Sequence, residues 1–275
     1  MSKAQIIAII GAIGLFVLLL FANTKAPKKE KVETAEASTD VSMETIADEA
    51  TSSLTAEPKA RVAEFKKGFD HATNDQKLGF LDSLTKTWDG LKRPDVAAYY
   101  AEQKAVIDSK AALWEKAGER YYNAVRFAKE DKRTPLYKNA MRCFEKVLSM
   151  DSTNLDAKTN LGACYVEGSQ DPMKGIGLLR SVVEVDPNNI NAQLNLAFFS
   201  VKSGQFEKAI DRFNKVLTIK PDYLEAYLFL ADAYERTGKK QEAIQTLEKY
   251  MNLVDDVTIK NEVKNYINKL KQGQS

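Results

Sequence analysis

One histidine, His71, is all that this 275-residue chain contains. That shortage removes most imidazole acid–base chemistry and most metal-ligand patterns. Cysteine is nearly as scarce. Cys143 and Cys164 cannot by themselves make a disulfide framework or a zinc site. They fall in different predicted helices and read as two packed free thiols. With 7 prolines and 13 glycines, the chain favours long helices over turn-rich β structure. It lacks an excess of either charge. The 40 basic and 38 acidic side chains leave a net charge of +2, so nothing demands nucleic acid or an acidic substrate. No Gly-rich phosphate loop, nucleophile elbow or metal spacing occurs. The sequence therefore gives no reason to expect catalysis, a cofactor or a metal.

What is present is a repeat. Pro187 recurs as Pro221, Leu196-Ala197 as Leu230-Ala231, Gly204 as Gly238 and Ala209-Ile210 as Ala243-Ile244. Every offset is 34 residues, the mark of stacked supersecondary units.

The front end is different. Residues 4–22 (AQIIAIIGAIGLFVLLLFA) carry no charge. As a helix they would span about 28 Å, enough for a bilayer core. We read a single-pass transmembrane anchor. A cleaved signal peptide is the alternative, but the apolar run is long and the preceding basic region holds only Lys3. Lys25, Lys28, Lys29 and Lys31 follow the segment, so the positive-inside rule puts the soluble part in the cytoplasm rather than the periplasm. Ala4, Ala8 and Ala12 form a small-residue stripe that could pair anchors into a homo-oligomer. Residues 23–40 hold one large apolar side chain, Val32, and read as a flexible linker.

Residues 41–117 read as a helical region with a degenerate hairpin repeat. Val62, Phe65, Phe69 and Ala72 share a helical stripe. Thr73 with Gln76 has the spacing of a capping box, opening a helix that ends at Gly90. Pro94 opens the next. A longer helix carries Trp114, Ala117, Tyr121 and Ala124, and residues 129–135 read as a polar turn before its partner. The clear repeats occupy 118–256, as units 118–154, 155–189, 190–223 and 224–256. Each unit places two helices around a tight turn, with small residues where the helices cross. Residues 257–272 form a capping helix that covers the last unit.

This pattern resembles the tetratricopeptide repeat family. Its 34-residue unit carries small residues at positions 8 and 20, Gly at 15 and Pro at 32. The resemblance covers residues 118–256 and is strongest in the last three units. It implies an all-α solenoid of helix hairpins. No unit has the Trp often found at position 4; Tyr121, Lys158, Gln193 and Tyr227 stand there, and Gly175 replaces the usual Ala at position 20.

In this family the first helices line a concave groove that binds proteins or extended peptides. Position 6 is Asn123, Asn160 and Asn195 in three successive units. A ladder of amides suits an extended backbone, because each amide both donates and accepts. A solvated polar face would carry asparagine equally well. Phe229 breaks the ladder, and with Leu194, Phe198 and Leu228 would make an apolar end to the groove; the alternative is that these side chains pack against neighbouring helices. Arg126 supplies a cation at the rim. The Lys, Asn and Arg clamp that some family members use for C-terminal carboxylates has no counterpart in either register of the units.

The expected function is a membrane-anchored, non-enzymatic scaffold or adaptor for a protein or peptide partner. By analogy with anchored repeat proteins of the bacterial envelope, the setting is cell-envelope assembly or protein quality control. A nucleic-acid-associated module or a protein-import-receptor-like module is the alternative. Acidic residues interleaved among the lysines argue against nucleic acid.

Overall fold

The computed structural model describes residues 42–272. The expected anchor (4–22) and linker (23–40) lie outside the described residues. Among the described residues, no helix is long and apolar enough to cross a membrane.

Thirteen α-helices and one short 3₁₀ turn make up the described chain. The first four are α1 (Met43–Ser52), α2 (Ala56–His71), α3 (Asn74–Gly90) and α4 (Pro94–Ile107). Then α5 (Ala111–Ala124) runs into a 3₁₀ turn (Val125–Phe127), and α6 (Glu130–Met150) follows. Three regular hairpins come next: α7 (Leu155–Gly168) with α8 (Pro172–Val185), α9 (Ile190–Lys202) with α10 (Phe206–Ile219), and α11 (Leu224–Arg236) with α12 (Lys240–Leu253). The last helix is α13 (Val257–Gln272). Each helix packs chiefly against its chain neighbours, apart from α1, which lies against α4.

Local signals set the helix starts. The Gln76 carboxamide reaches back to accept from the Thr73 N–H at 3.1 Å, the reciprocal half of a capping box. Asn154 and Asn189 each cap a helix, accepting from the N–H of Ala157 at 2.8 Å and of Ala192 at 2.9 Å. Such a cap is worth about 1 kcal/mol. Pro94 and Pro172 occupy first-turn positions, where a missing N–H does no harm.

Pro135 departs from expectation. The polar run 129–135 is not a turn: α6 starts at Glu130 and passes through Pro135. Two things make this tolerable. The acceptor that loses its partner, the Asp131 carbonyl, belongs to an exposed stretch where water can serve it. Beyond the proline, Leu136, Tyr137 and Ala140 are buried and hold the helix down.

Small residues determine how the hairpins close. A Cβ added at Gly175 would sit 2.4 Å from the Gly162 carbonyl oxygen, and one at Gly162 would sit 2.8 Å from Leu179 Cγ. So α7 and α8 cross more closely than alanine allows, which explains Gly175 where later units have Ala209 and Ala243. Leu179, Phe213 and Leu247 stand 34 residues apart and fill the space beside each crossing; all three are buried. Position 4 follows the same period through a polar tie. Gln193 Nε2 donates to the Pro187 carbonyl at 2.9 Å, and the Tyr227 hydroxyl donates to the Pro221 carbonyl at 2.9 Å.

Ile267 and Leu270 of α13 are buried against Ala231, Ile244 and Leu247. This helix thus covers the packing face that α11 and α12 would otherwise expose.

Gly204 and Gly238 end α9 and α11 at φ +72° and +74°, with open space around both. Conformation, not room, demands glycine there. We predict that Gly204→Ala costs about 1–2 kcal/mol. Gly177→Ala, in the open interior of α8, should stabilise by about 0.5–1 kcal/mol. Urea midpoints should therefore move in opposite directions; shifts of the same sign would refute this account of the turn.

Candidate peptide-binding site

The candidate residues come from the first helices of the units. Helical periodicity puts Asn191, Leu194, Asn195 and Phe198 on one side of α9, and Gln193, Leu196 and Ser200 on another. Of the first set, Asn191, Asn195 and Phe198 face the candidate groove, while Leu194 is buried.

Phe198 and Phe229 are brought together. Their ring centroids lie 4.8 Å apart with an interplanar angle of 83°, an edge-to-face pair. A third ring, Phe213 of α10, joins them: it stacks on Phe229 at 5.8 Å and 12°, and meets Phe198 edge-on at 5.6 Å. Exposure rises along this column. Phe213 is fully buried, Phe229 is half-buried and Phe198 is 39% exposed. Edge-to-face and offset-stacked rings are each worth about 0.5–1.5 kcal/mol beyond area burial. Phe213 did not figure among the candidates. It sits in a second helix, and its place opposite position 9 depends on hairpin closure.

The two leucines serve a different purpose. Leu194 is buried in the cluster that contains Phe213, Ala226 and Leu230. Leu228, 34 residues on, packs against Ile244, Leu247 and the α13 residues Ile267 and Leu270. Position 5 therefore points along the stack toward the next helix pair, and both leucines hold units together. The apolar end of the face consists of Phe198 and Phe229.

The asparagines occupy three settings. Asn195 Nδ2 donates to the Asn191 carbonyl of its own helix at 2.8 Å, leaving its carbonyl oxygen available. Asn160 is half-buried and its side chain makes no hydrogen bond among the described residues. Asn123 is exposed and lines a recess of about 340 Å³ with Pro94, Lys116, Glu119 and Arg120. Arg126 is exposed in the 3₁₀ turn. Asn123 and Arg126 thus belong to an earlier part of the stack than the aromatic column.

Around these residues the rim is held by polar ties. The Tyr122 and Tyr137 hydroxyls both donate to Glu167, at 3.0 and 2.9 Å. Burial first, and Glu167 second, push both phenols far above their usual range, so they remain donors. Arg236 pairs with Asp232 at 3.3 Å. Cys143 and Cys164 are free and buried, with burial raising both thiols. Among the described residues, no group of three His, Cys, Asp or Glu side chains could hold a metal ion.

Residues 200–257 match the family model described as tetratricopeptide repeat. Over that span the helix hairpins are of the tetratricopeptide type. Two solved MamA structures, at a TM-score of 0.50, support a similar fold. A MamA protein shares 19% identity, with 65% of this chain and 92% of that one covered at a TM-score of 0.50. MamA residues 41 to the end, from Desulfovibrio magneticus RS-1, share 20% identity over 64% of this chain and 94% of that one, again at 0.50. YrrB, titled a TPR protein with an unusual peptide-binding site, shares 20% identity over 73% of this chain and 97% of that one at 0.47. No curated protein matches the chain.

The column's gradient of exposure makes a testable statement about stability. Phe213→Ala should cost about 3–5 kcal/mol, the range for a buried aromatic. Phe198→Ala, losing fewer buried contacts, should cost no more than about 1.5 kcal/mol. Thermal unfolding of the two variants checks this, and comparable losses would mean that Phe198 is structural.

Proposed function

We propose that this protein is a membrane-anchored, non-enzymatic scaffold that binds an extended protein segment along the first helices of its tetratricopeptide-type units. One observation carries the reading: Phe198 is 39% exposed yet held by two other rings. An apolar side chain of a partner could pack there without first ordering the site. Asn160 and the free carbonyl of Asn195 would bond the partner's backbone, giving affinity with little sequence demand. Arg126 and Asn123 would meet the partner further along.

The anchor is residues 4–22, whose uncharged apolar run supports a single span. The lysines that follow favour a cytoplasmic location for the repeats. Bacterial cell-envelope assembly or quality control is the setting we propose, and anchors pairing through Ala4, Ala8 and Ala12 would make a homo-oligomer.

Crosslinking in cells followed by mass spectrometry tests the binding face. Phe198→Ala/Phe229→Ala should lower partner recovery at least tenfold, the scale of a hot-spot loss. Asn160→Ala/Asn195→Ala should lower it several-fold. If neither pair alters the recovered partners, the proposed face is not the binding face. Salt-sensitive capture of RNA or DNA by the purified protein would instead favour the nucleic-acid alternative. A phosphatase fused after Ser275 should be inactive; activity there would place the repeats outside the cytoplasm.

A further inference from the structure

The side of α9 opposite the aromatic column is not closed. Between α8, α9 and α10 lies a cavity of about 530 Å³, within the range of ligand pockets. Its floor is apolar, with Ile176 and Leu196, and Met173 stands at its edge 61% exposed. Its walls are basic: Arg180, Lys208, Arg212 and Lys215 line it, against a single carboxylate, Asp211.

The repeat explains why the cavity exists. In the next unit, position 4 is Tyr227, whose ring is buried with Tyr250 and Val254 while its hydroxyl holds the Pro221 carbonyl. Here position 4 is Gln193. It makes the equivalent bond to Pro187 but has no ring to fill the space. Its remaining end, Oε1, accepts from Arg212 Nη1 at 2.7 Å. The half-buried Arg212 is therefore aimed by a neutral side chain, with other N–H groups left to donate. None of the four cations forms an ion pair among the described residues. Burial, and then Arg180, hold the Arg212 guanidinium below its usual range, with Asp211 opposing both. An entering anion would favour the charged guanidinium and offset the repulsion from Arg180.

We infer that this cavity is a second docking site, on the face opposite the groove, for an acidic protein segment carrying an apolar side chain. The cations would take its carboxylates, Arg212 in bidentate fashion, while the apolar residue sits over Ile176 and Leu196. An acidic peptide fits better than a membrane surface, because Arg212 lies in a recess between helices and the floor calls for a side chain.

Fluorescence anisotropy with a labelled peptide, acetyl-Asp-Glu-Leu-Glu-Asp-Leu-amide, tests this on the full chain. An Asn/Gln version of the peptide and phosphatidylglycerol vesicles serve as parallel probes. The native protein should bind the acidic peptide at least tenfold more tightly than the neutral one. Two variants act by different routes. Arg180→Glu/Lys208→Glu reverses charge at exposed positions, and Gln193→Tyr keeps the tie to Pro187 while filling the cavity. Each should weaken binding of the acidic peptide at least tenfold. The inference is overturned by unchanged affinity in both variants, by equal binding of the neutral peptide, or by vesicles binding where the acidic peptide does not.

Discussion

The close crossing of the two helices within each hairpin is the constraint on which the rest of this structure depends. It needs small residues at two places 12 or 13 positions apart, and the chain supplies Gly162 with Gly175, Ala197 with Ala209, and Ala231 with Ala243. All six are buried. Contact at these points fixes the distance and angle at which everything larger must fit. Leu179, Phe213 and Leu247 can then fill the adjoining space, and position 5 can reach the next pair of helices. Widening one crossing would displace both faces of its first helix together. The aromatic column and the basic cavity share α9, so both inherit their geometry from the same contact.

Apolar packing of this kind leaves helices some freedom to slide, and buried polar ties remove it. Glu102 of α4 is nearly fully buried, accepting from the Tyr121 hydroxyl at 2.7 Å and pairing with Arg142 at 2.5 Å. One carboxylate thereby joins α4, α5 and α6. Glu167 does the same for α5, α6 and α7 through two tyrosines. Between α11 and α13 the tie is Tyr266 donating to Glu235 at 2.7 Å. Breaking such a tie leaves a buried polar group without its partner, so wrong alignments are penalised more than the correct one is rewarded.

The parts of this architecture that are written locally were legible. The 34-residue period, the helix starts at Pro94 and Thr73, and the covering helix at residues 257–272 all rest on local sequence pattern. The unread parts depend on partners 15 to 45 residues away. Nothing near Glu102 announces that Tyr121 and Arg142 will meet it, and nothing beside Phe198 announces Phe213. Pro135 misled for a related reason: local propensity favours a break, and burial of Leu136, Tyr137 and Ala140 outweighs it. Leu228 shows the limit of reading a face from periodicity. Positions 5 and 6 are both apolar in the last unit, yet one holds α13 and the other joins the ring column. Which does which is decided by the helix that follows.

Exposure alone would not single out Phe198. Phe127 is 78% exposed and Val185 is 70% exposed, and isolated apolar side chains are ordinary on protein surfaces. The difference lies in what holds the ring. Phe127 ends a short 3₁₀ turn, whereas Phe198 rests edge-on against two rings, one of them fully buried. A side chain already confined to one arrangement loses little further entropy when a partner covers it. A mobile one must be ordered first, at about 0.5–1.5 kcal/mol for each immobilised side chain. On the proposed binding face, the ring held by Phe213 and Phe229 would therefore be the exposed aromatic that a partner covers at least cost.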